Sequence, residues 1–385
     1  MSRHFFNVDE INLSEFKSIC SQTVTSGDYA FASDINQGVV FYEGDHINDL
    51  MNTEHTLNLK SELHHCIKEG PGILVISNAF KDLEVIDRGT HIFQEIIKEE
   101  KLCHKSQGDH FGKNGENVRV WNALQKFCER DTEGFIDYYN NPILCFVYEA
   151  WLGPFFQVTS QVNIVKPGGK AQKPHRDYHL GFQDDSIVSK YPLSIQIISQ
   201  FLTLQGAVVH TDMDKSSGST MTLPFSHQYP LGYMAWRNSK FVEYFKKNAV
   251  QLNLKKGDAV FFSPALFHAA GTNMNSNDRI ANLLQISSPF GRTMESVDRT
   301  KMAKMIYQVL KDKKKYRQMS QEKTKAIWAS VIDGYAFPTN LDSNPPEEGL
   351  ISESFWKLME RAMYEEWPCK RFNKYLDNAA ERRNP

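Results

Sequence analysis

Short β-forming runs punctuated by Gly, Pro and Asn fill the middle of this 385-residue chain, and amphipathic helical patterns lie on either side of them. Together these predict a mainly β fold with flanking helices, its core a double-stranded β-helix of the jelly-roll kind. The length suffices for a sizeable core. We expect an N-terminal arm and helix over 1–69, the jelly-roll domain over 70–295 and a helical C-terminal extension over 296–385 packed on it.

The first fifty residues mix polar residues, Gly and aromatics without sustained periodicity and read as a loosely structured arm. Leu57, Leu59, Leu63, Cys66 and Ile67 recur at helical spacing from Thr56 to Glu69, and Gly70-Pro71-Gly72 stops that helix. His64 and His65 within it are adjacent and point apart, so they read as surface histidines rather than a metal pair. Ile73 to Ile76 is a short buried strand, and helical patterns follow over Leu83 to Glu100 and Thr132 to Leu152. Between them runs a loop from Asp109 to Asn122, where Lys113, Arg119 and Trp121 stand as candidate contacts for an anionic substrate beside the plainer reading of solvated loop charges.

Gln161 to Lys166 alternates polar and apolar residues. Either its polar face looks into a site, with Gln161 and Asn163 as donors there, or it is an outward-facing edge strand. Leu193 to Gln205 reads as a long β-rich run continuing through Ala207 to His210, Lys240 to Val250 as an inserted helix, and Glu295 to Tyr316, Glu322 to Ile332 and Phe355 to Leu376 as closing helices. These last could form a lid or a homodimer contact.

A net charge of −2 gives no global attraction to nucleic acid or to an anionic membrane. No apolar run approaches the ~20 residues of a membrane span, and residues 1–10 lack the pattern of a signal peptide. Cysteines 20, 66, 103, 128, 145 and 369 are scattered without a Cys-x-x-Cys, which suits a reducing compartment. Arg382 to Pro385 does not resemble a peroxisomal tripeptide, so a cytoplasmic location is expected.

Chemistry centres on Lys173-Pro174-His175-Arg176-Asp177-Tyr178-His179. On an extended strand residues two apart share a face, so His175 and Asp177 offer a nitrogen and a carboxylate oxygen to one point. His268, ending the apolar run that follows Gly257-Asp258, supplies the third ligand of a two-His, one-carboxylate site with three open positions. Arg279 opens the next apolar strand, and a guanidinium flanked by core calls for a bidentate anion. His179 shares the ligand-bearing side but sits ~6.5 Å beyond Asp177, which suits a substrate contact or an inert wall. His210-Thr211-Asp212 is a rival His-x-Asp, read as loop residues near the mouth, and Asp184-Asp185 fits no same-face pairing.

At this point the chain resembles the phytanoyl-CoA dioxygenase family of non-haem Fe(II), 2-oxoglutarate-dependent enzymes. The resemblance rests on His175-Arg176-Asp177, Gly218 to His227, Lys256 to Phe262, and His268-Ala269-Ala270-Gly271-Thr272-Asn273 leading to Ser276 and Arg279. It covers roughly residues 70 to 295 and implies His175, Asp177 and His268 as ligands of Fe(II), Arg279 as partner of the distal carboxylate of 2-oxoglutarate, and Gln161, Asn163 and Ala270 around that cosubstrate. It further implies consumption of O₂ and hydroxylation of a small molecule, with release of succinate and CO₂. Ala207 departs from the family, which often has an aromatic residue there. The competing readings are a zinc hydrolase built on the same three ligands and a non-catalytic jelly-roll that only binds metal or 2-oxoglutarate.

Overall fold

A computed structural model describes residues 3–103, 117–346 and 349–384. Among them the strands, in chain order, are β1 (Asp34–Asn36), β2 (Val39–Glu43), β3 (Ile73–Ser77), β4 (Asn117–Val120), β5 (Gln157–Val165), β6 (Thr203–Val209), β7 (Thr220–Thr222), β8 (Val250–Gln251), β9 (Ala259–Phe262), β10 (His268–Ala270) and β11 (Arg279–Ser287). A large sheet runs β1-β2-β3-β9-β6-β11-β5-β4, and a small one β10-β7-β8. All pairings are antiparallel except β2 with β3. A cavity lined from the large sheet by Gln205 and Ala281, and from the small one by Thr220 and His268, lies between the two. This is the expected jelly-roll core, although helices hold 44% of the residues and strands 16%, so the strands carry the site and the helices most of the mass.

Strand periodicity divides the large sheet into two faces. Val158, Val162 and Ile164 of β5, Leu204 and Val208 of β6, and Ile280 and Ile286 of β11 pack outward into one apolar cluster with Phe127, Phe135, Ile306 and Trp328 of the helices. Each such fully buried side chain contributes roughly 1.5–3 kcal/mol, so the helix-covered face carries most of the stability. The alternate residues Gln161, Asn163, Gln205, Ala207, Val209, Ala281 and Leu283 face the cavity. The polar face of residues 161–166 is therefore turned inward: β5 has β11 on one side and β4 on the other and is not an edge.

Several elements differ from expectation. Residues 34–43 are no loose arm but a hairpin in the sheet, β2 lying parallel to β3 with Val40 opposite Leu74. Its turn residues Gln37 and Gly38 have φ of 52° and 77°, the double left-handed conformation of a tight hairpin, and that Gln-Gly step before Val-Val-Phe-Tyr was the overlooked signal. The supposed β-run from Leu193 begins as a helix, Leu193–Ser199. There the polar Gln196 is buried, bonded to the carbonyls of Val188 and Tyr191, while Ile195 and Ile198 are 44% and 49% exposed. The pattern is inverted, so a count of apolar residues misreads it. Two long helices are each split by proline: Thr132–Tyr139 from Pro142–Leu152, whose start Asn141 caps, and Phe355–Tyr364 from Cys369–Glu381 after Pro368.

Candidate metal centre

His175 and Asp177 do not sit in a regular strand. They lie on an extended segment tied to the small sheet, where His175 and His268 exchange backbone hydrogen bonds of 2.9 and 3.2 Å and the Asp177 N–H donates to Pro264 O at 3.0 Å. One ligand atom from each of His175, Asp177 and His268 falls in a group within 4.8 Å of one another. His175 Nε2 is 3.4 Å from Asp177 Oδ1, and His268 Nε2 is 3.3 Å from Asp177 Oδ2. Each ring is oriented from behind: His175 Nδ1 donates to Lys173 O at 2.8 Å and His268 Nδ1 to Leu266 O at 2.9 Å. Those bonds place the imidazole proton on Nδ1 and leave both Nε2 lone pairs aimed at the carboxylate. Two ring nitrogens and a carboxylate converging in a buried pocket suit a cation between them, so these residues fit a metal ion. Burial lowers the His175 pKa, favouring the neutral, ligating ring. Burial pushes the Asp177 carboxyl upward, but His175, His268 and Gln205 outweigh it and hold the group below the usual range.

Arg176, between the two ligands, points the other way. It is buried, donates to Ser226 O at 2.7 Å and Tyr229 O at 3.1 Å, and lies 5.0 and 5.3 Å from the ring centres of Tyr233 and Phe267. A Cβ on Gly232 would stand 1.9 Å from its guanidinium carbon, so that position admits only glycine. Arg176 thus clamps the His-x-Asp segment onto the 226–232 turn.

Arg279 is buried in the cavity wall at the start of β11, where burial lowers its pKa to about 10 and leaves it charged at neutral pH. It donates to Gly218 O, and among the described residues no carboxylate pairs with it. Arg119, Gln161, Asn163 and Ala270 also line the cavity. Arg119 donates to Gln161 Oε1 at 2.8 Å and lies 5.2 Å from the ring centre of Trp121. Trp121 and His179 are not among the lining residues. The strand geometry assumed for His179 ends at Tyr178 and His179 themselves, whose φ values of 58° and 40° are left-handed. Lys113 lies outside the described residues. Sequence reasoning missed Gln205, Gln285, Phe182 and Met294, all cavity-lining. For the two glutamines the signal was available, since a glutamine at an inward position of a central strand needs a polar partner.

The rival His210-Thr211-Asp212 comes apart. His210 is buried beneath the helix Leu83–Leu102, not at the mouth, with Nδ1 2.8 Å from Thr90 Oγ1 and Nε2 2.9 Å from Tyr138 Oη. Thr90 donates to Ile86 O, so it accepts from His210 Nδ1, and Tyr138, which accepts from Asn282, donates to Nε2. Both nitrogens of a neutral ring are used, and Asp212 pairs with Lys255 at the surface. Burial lowers the His210 pKa to about 3 and that of His227, bonded to Lys68 O, to about 4. The unfolded chain binds these protons from about pH 6.5 downward while the folded one refuses them, so stability is complete above pH 6.5 and is lost as pH falls toward 4. Each histidine contributes a slope of at most about 1.4 kcal/mol per pH unit. Urea midpoints should fall across that window, and His210→Phe should flatten the fall.

Fold and site together define a jelly-roll protein with a two-histidine, one-carboxylate cluster between its sheets. The chain belongs to the phytanoyl-CoA dioxygenase (PhyH) family, whose model matches residues 69–281, more than half of its length. It is 28% identical over 228 residues to the peroxisomal phytanoyl-CoA dioxygenase of Bos taurus, a match spanning 55% of this chain and 64% of that protein. It is also 32% identical over 90 residues to an uncharacterized protein of Saccharomyces cerevisiae, spanning 23% of this chain and 24% of the yeast protein. Among solved structures, the non-heme alpha ketoglutarate dependent carbocyclase SnoK from nogalamycin biosynthesis superposes with a TM-score of 0.44 at 15% identity, over 66% of this chain and 90% of SnoK. No helix among the described residues is long and apolar enough to cross a membrane.

Proposed function

We propose that this protein is an Fe(II)- and 2-oxoglutarate-dependent dioxygenase that hydroxylates a small organic molecule. The carrying observation is the pair of back-bonded imidazoles whose Nε2 atoms meet the Asp177 carboxylate in the same cavity as a buried arginine that, among the described residues, has no carboxylate partner. His175, Asp177 and His268 would hold the iron, leaving three adjacent positions open. Bound iron would couple reduction of O₂ to loss of CO₂ from the keto acid, yielding succinate and a hydroxylated product. Arg279 would fix the distal carboxylate of 2-oxoglutarate and so orient its keto-acid end toward the ligands. Arg119 adds a second guanidinium to the wall for an anionic group, and the closely packed outer face keeps water from entering except through the cavity mouth.

Zinc hydrolysis uses the same donor set, but it gives the buried Arg279 no task. Purified protein given Fe(II), 2-oxoglutarate and O₂ should release succinate slowly even without primary substrate. Zinc-dependent hydrolysis without succinate would reject the proposal. We also place the protein in the cytoplasm, in keeping with six unpaired cysteines, and assign a homodimer contact to the 296–385 region, where Leu350, Ile351 and Tyr364 are exposed.

A further inference from the structure

We infer that Gln205 is the positioning residue that keeps Asp177 presenting one oxygen, not two, to the metal. The inference rests on the metal-centre reading above. Gln205 stands on β6, in the middle of the large sheet, with Phe262 of β9 opposite on one side and Gln285 of β11 on the other. Its backbone is therefore fixed from both flanks, and its side chain, buried, enters the cavity. Nε2 donates to Asp177 Oδ2, while Oε1 is buried with no partner among the described residues. An amide buried beside Leu204, Gly206 and Ala207 costs stability unless bonded, and its one hydrogen bond goes to Asp177.

Asp177 needs such a partner. Its backbone is held by a single bond to Pro264 O, and the chain turns sharply at the next residue, Tyr178. The carboxylate can still rotate about its own side-chain bonds, and the two imidazoles approach it to 3.4 and 3.3 Å. A carboxylate that chelated with both oxygens would, with two histidines, fill four of six positions. Two would then remain, so a keto acid bound at two points would compete with the second carboxylate oxygen for room on the metal, and its affinity would fall. Engaging Oδ2 through Gln205 leaves Oδ1 as the single donor and preserves the third open position. The amide thus acts on coordination number through Asp177 rather than on substrate.

The test separates cosubstrate affinity from metal affinity. Titrate Co(II) into metal-free full-length protein by calorimetry, then 2-oxoglutarate into the Co(II)-loaded form, for wild type, Gln205→Leu and Gln205→Met. Both variants remove the donor at near-constant volume, and two are used in case one fails to fold. The expected result is Co(II) binding that stays measurable, with 2-oxoglutarate held more weakly by on the order of 10-fold or more, a loss of the size that deleting a partner behind a metal ligand has on metal affinity or activity. A purely structural role would lower the thermal midpoint and leave the 2-oxoglutarate affinity of folded protein unchanged. Variants that bind 2-oxoglutarate within about two-fold of wild type overturn the role of Gln205 alone. Wild type that binds no Co(II) overturns the metal centre itself, and wild type that binds Co(II) without 2-oxoglutarate overturns the cosubstrate assignment.

Discussion

Asp177→Asn should abolish metal-dependent stabilisation while leaving the metal-free fold intact. The substitution keeps the size of the side chain and an oxygen able to accept from Gln205, and it removes the charge and turns the other oxygen into an amide donor. What remains is two neutral imidazoles and an amide, a donor set with no anion to balance a divalent ion in a buried pocket. The loss should exceed the ~10–100-fold typical of partners one step behind the ligands. In wild type, Co(II) at about 100 times its Kd should add roughly 2.7 kcal/mol to the unfolding free energy, visible as an upward shift of the thermal midpoint. The variant should show no shift at the same concentration, and succinate release with Fe(II) should vanish with it. A wild-type shift in the variant would mean that the cation sits elsewhere.

The convergence of His175, Asp177 and His268 was legible because its constraints are local. A two-residue spacing on extended chain needs no knowledge of the rest of the fold, and the Gly257-Asp258 turn before an apolar strand announces where His268 emerges. The burial of Arg279 in the cavity wall was legible by a related argument, a cation opening an otherwise apolar strand. What sequence could not supply was the layer that depends on pairing register. Gln205 could be read as needing a polar partner, but that the partner is Asp177 follows only from β6 lying between β9 and β11, a long-range fact. For His179 the two-residue rule was carried one step past the point where left-handed backbone ends the strand. The helix at Leu193 shows a third limit, since its buried face is polar and its exposed face carries isoleucine, so hydrophobic periodicity pointed away from the answer. His210 was set aside correctly as a ligand but misplaced, because burial under a helix leaves no signature in a His-x-Asp string.

Arg279→Leu tests the other half of the assignment, and its effect should fall on one ligand group. A buried charge-assisted pair that loses one member costs about 2–5 kcal/mol, so 2-oxoglutarate affinity should drop between ~30-fold and several thousand-fold. Arg279→Lys should recover only part, since a point charge cannot pair with both carboxylate oxygens as a planar fork does. The sharper measurement compares 2-oxoglutarate with 2-oxobutyrate, which keeps the metal-chelating end and lacks the distal carboxylate. Wild type should prefer the diacid strongly, and the leucine variant should scarcely distinguish the two, the missing preference being the coupling between Arg279 and that carboxylate. Metal binding should be unchanged throughout, because Arg279 does not contact the three ligands in the structure. The variant should fold, since a guanidinium that burial has already weakened to a pKa of about 10 is being replaced by an apolar group in an apolar strand. If instead the leucine variant retains its preference for the diacid, the distal carboxylate is held by another cation. Arg119, the other guanidinium lining the cavity, would then be the residue to substitute.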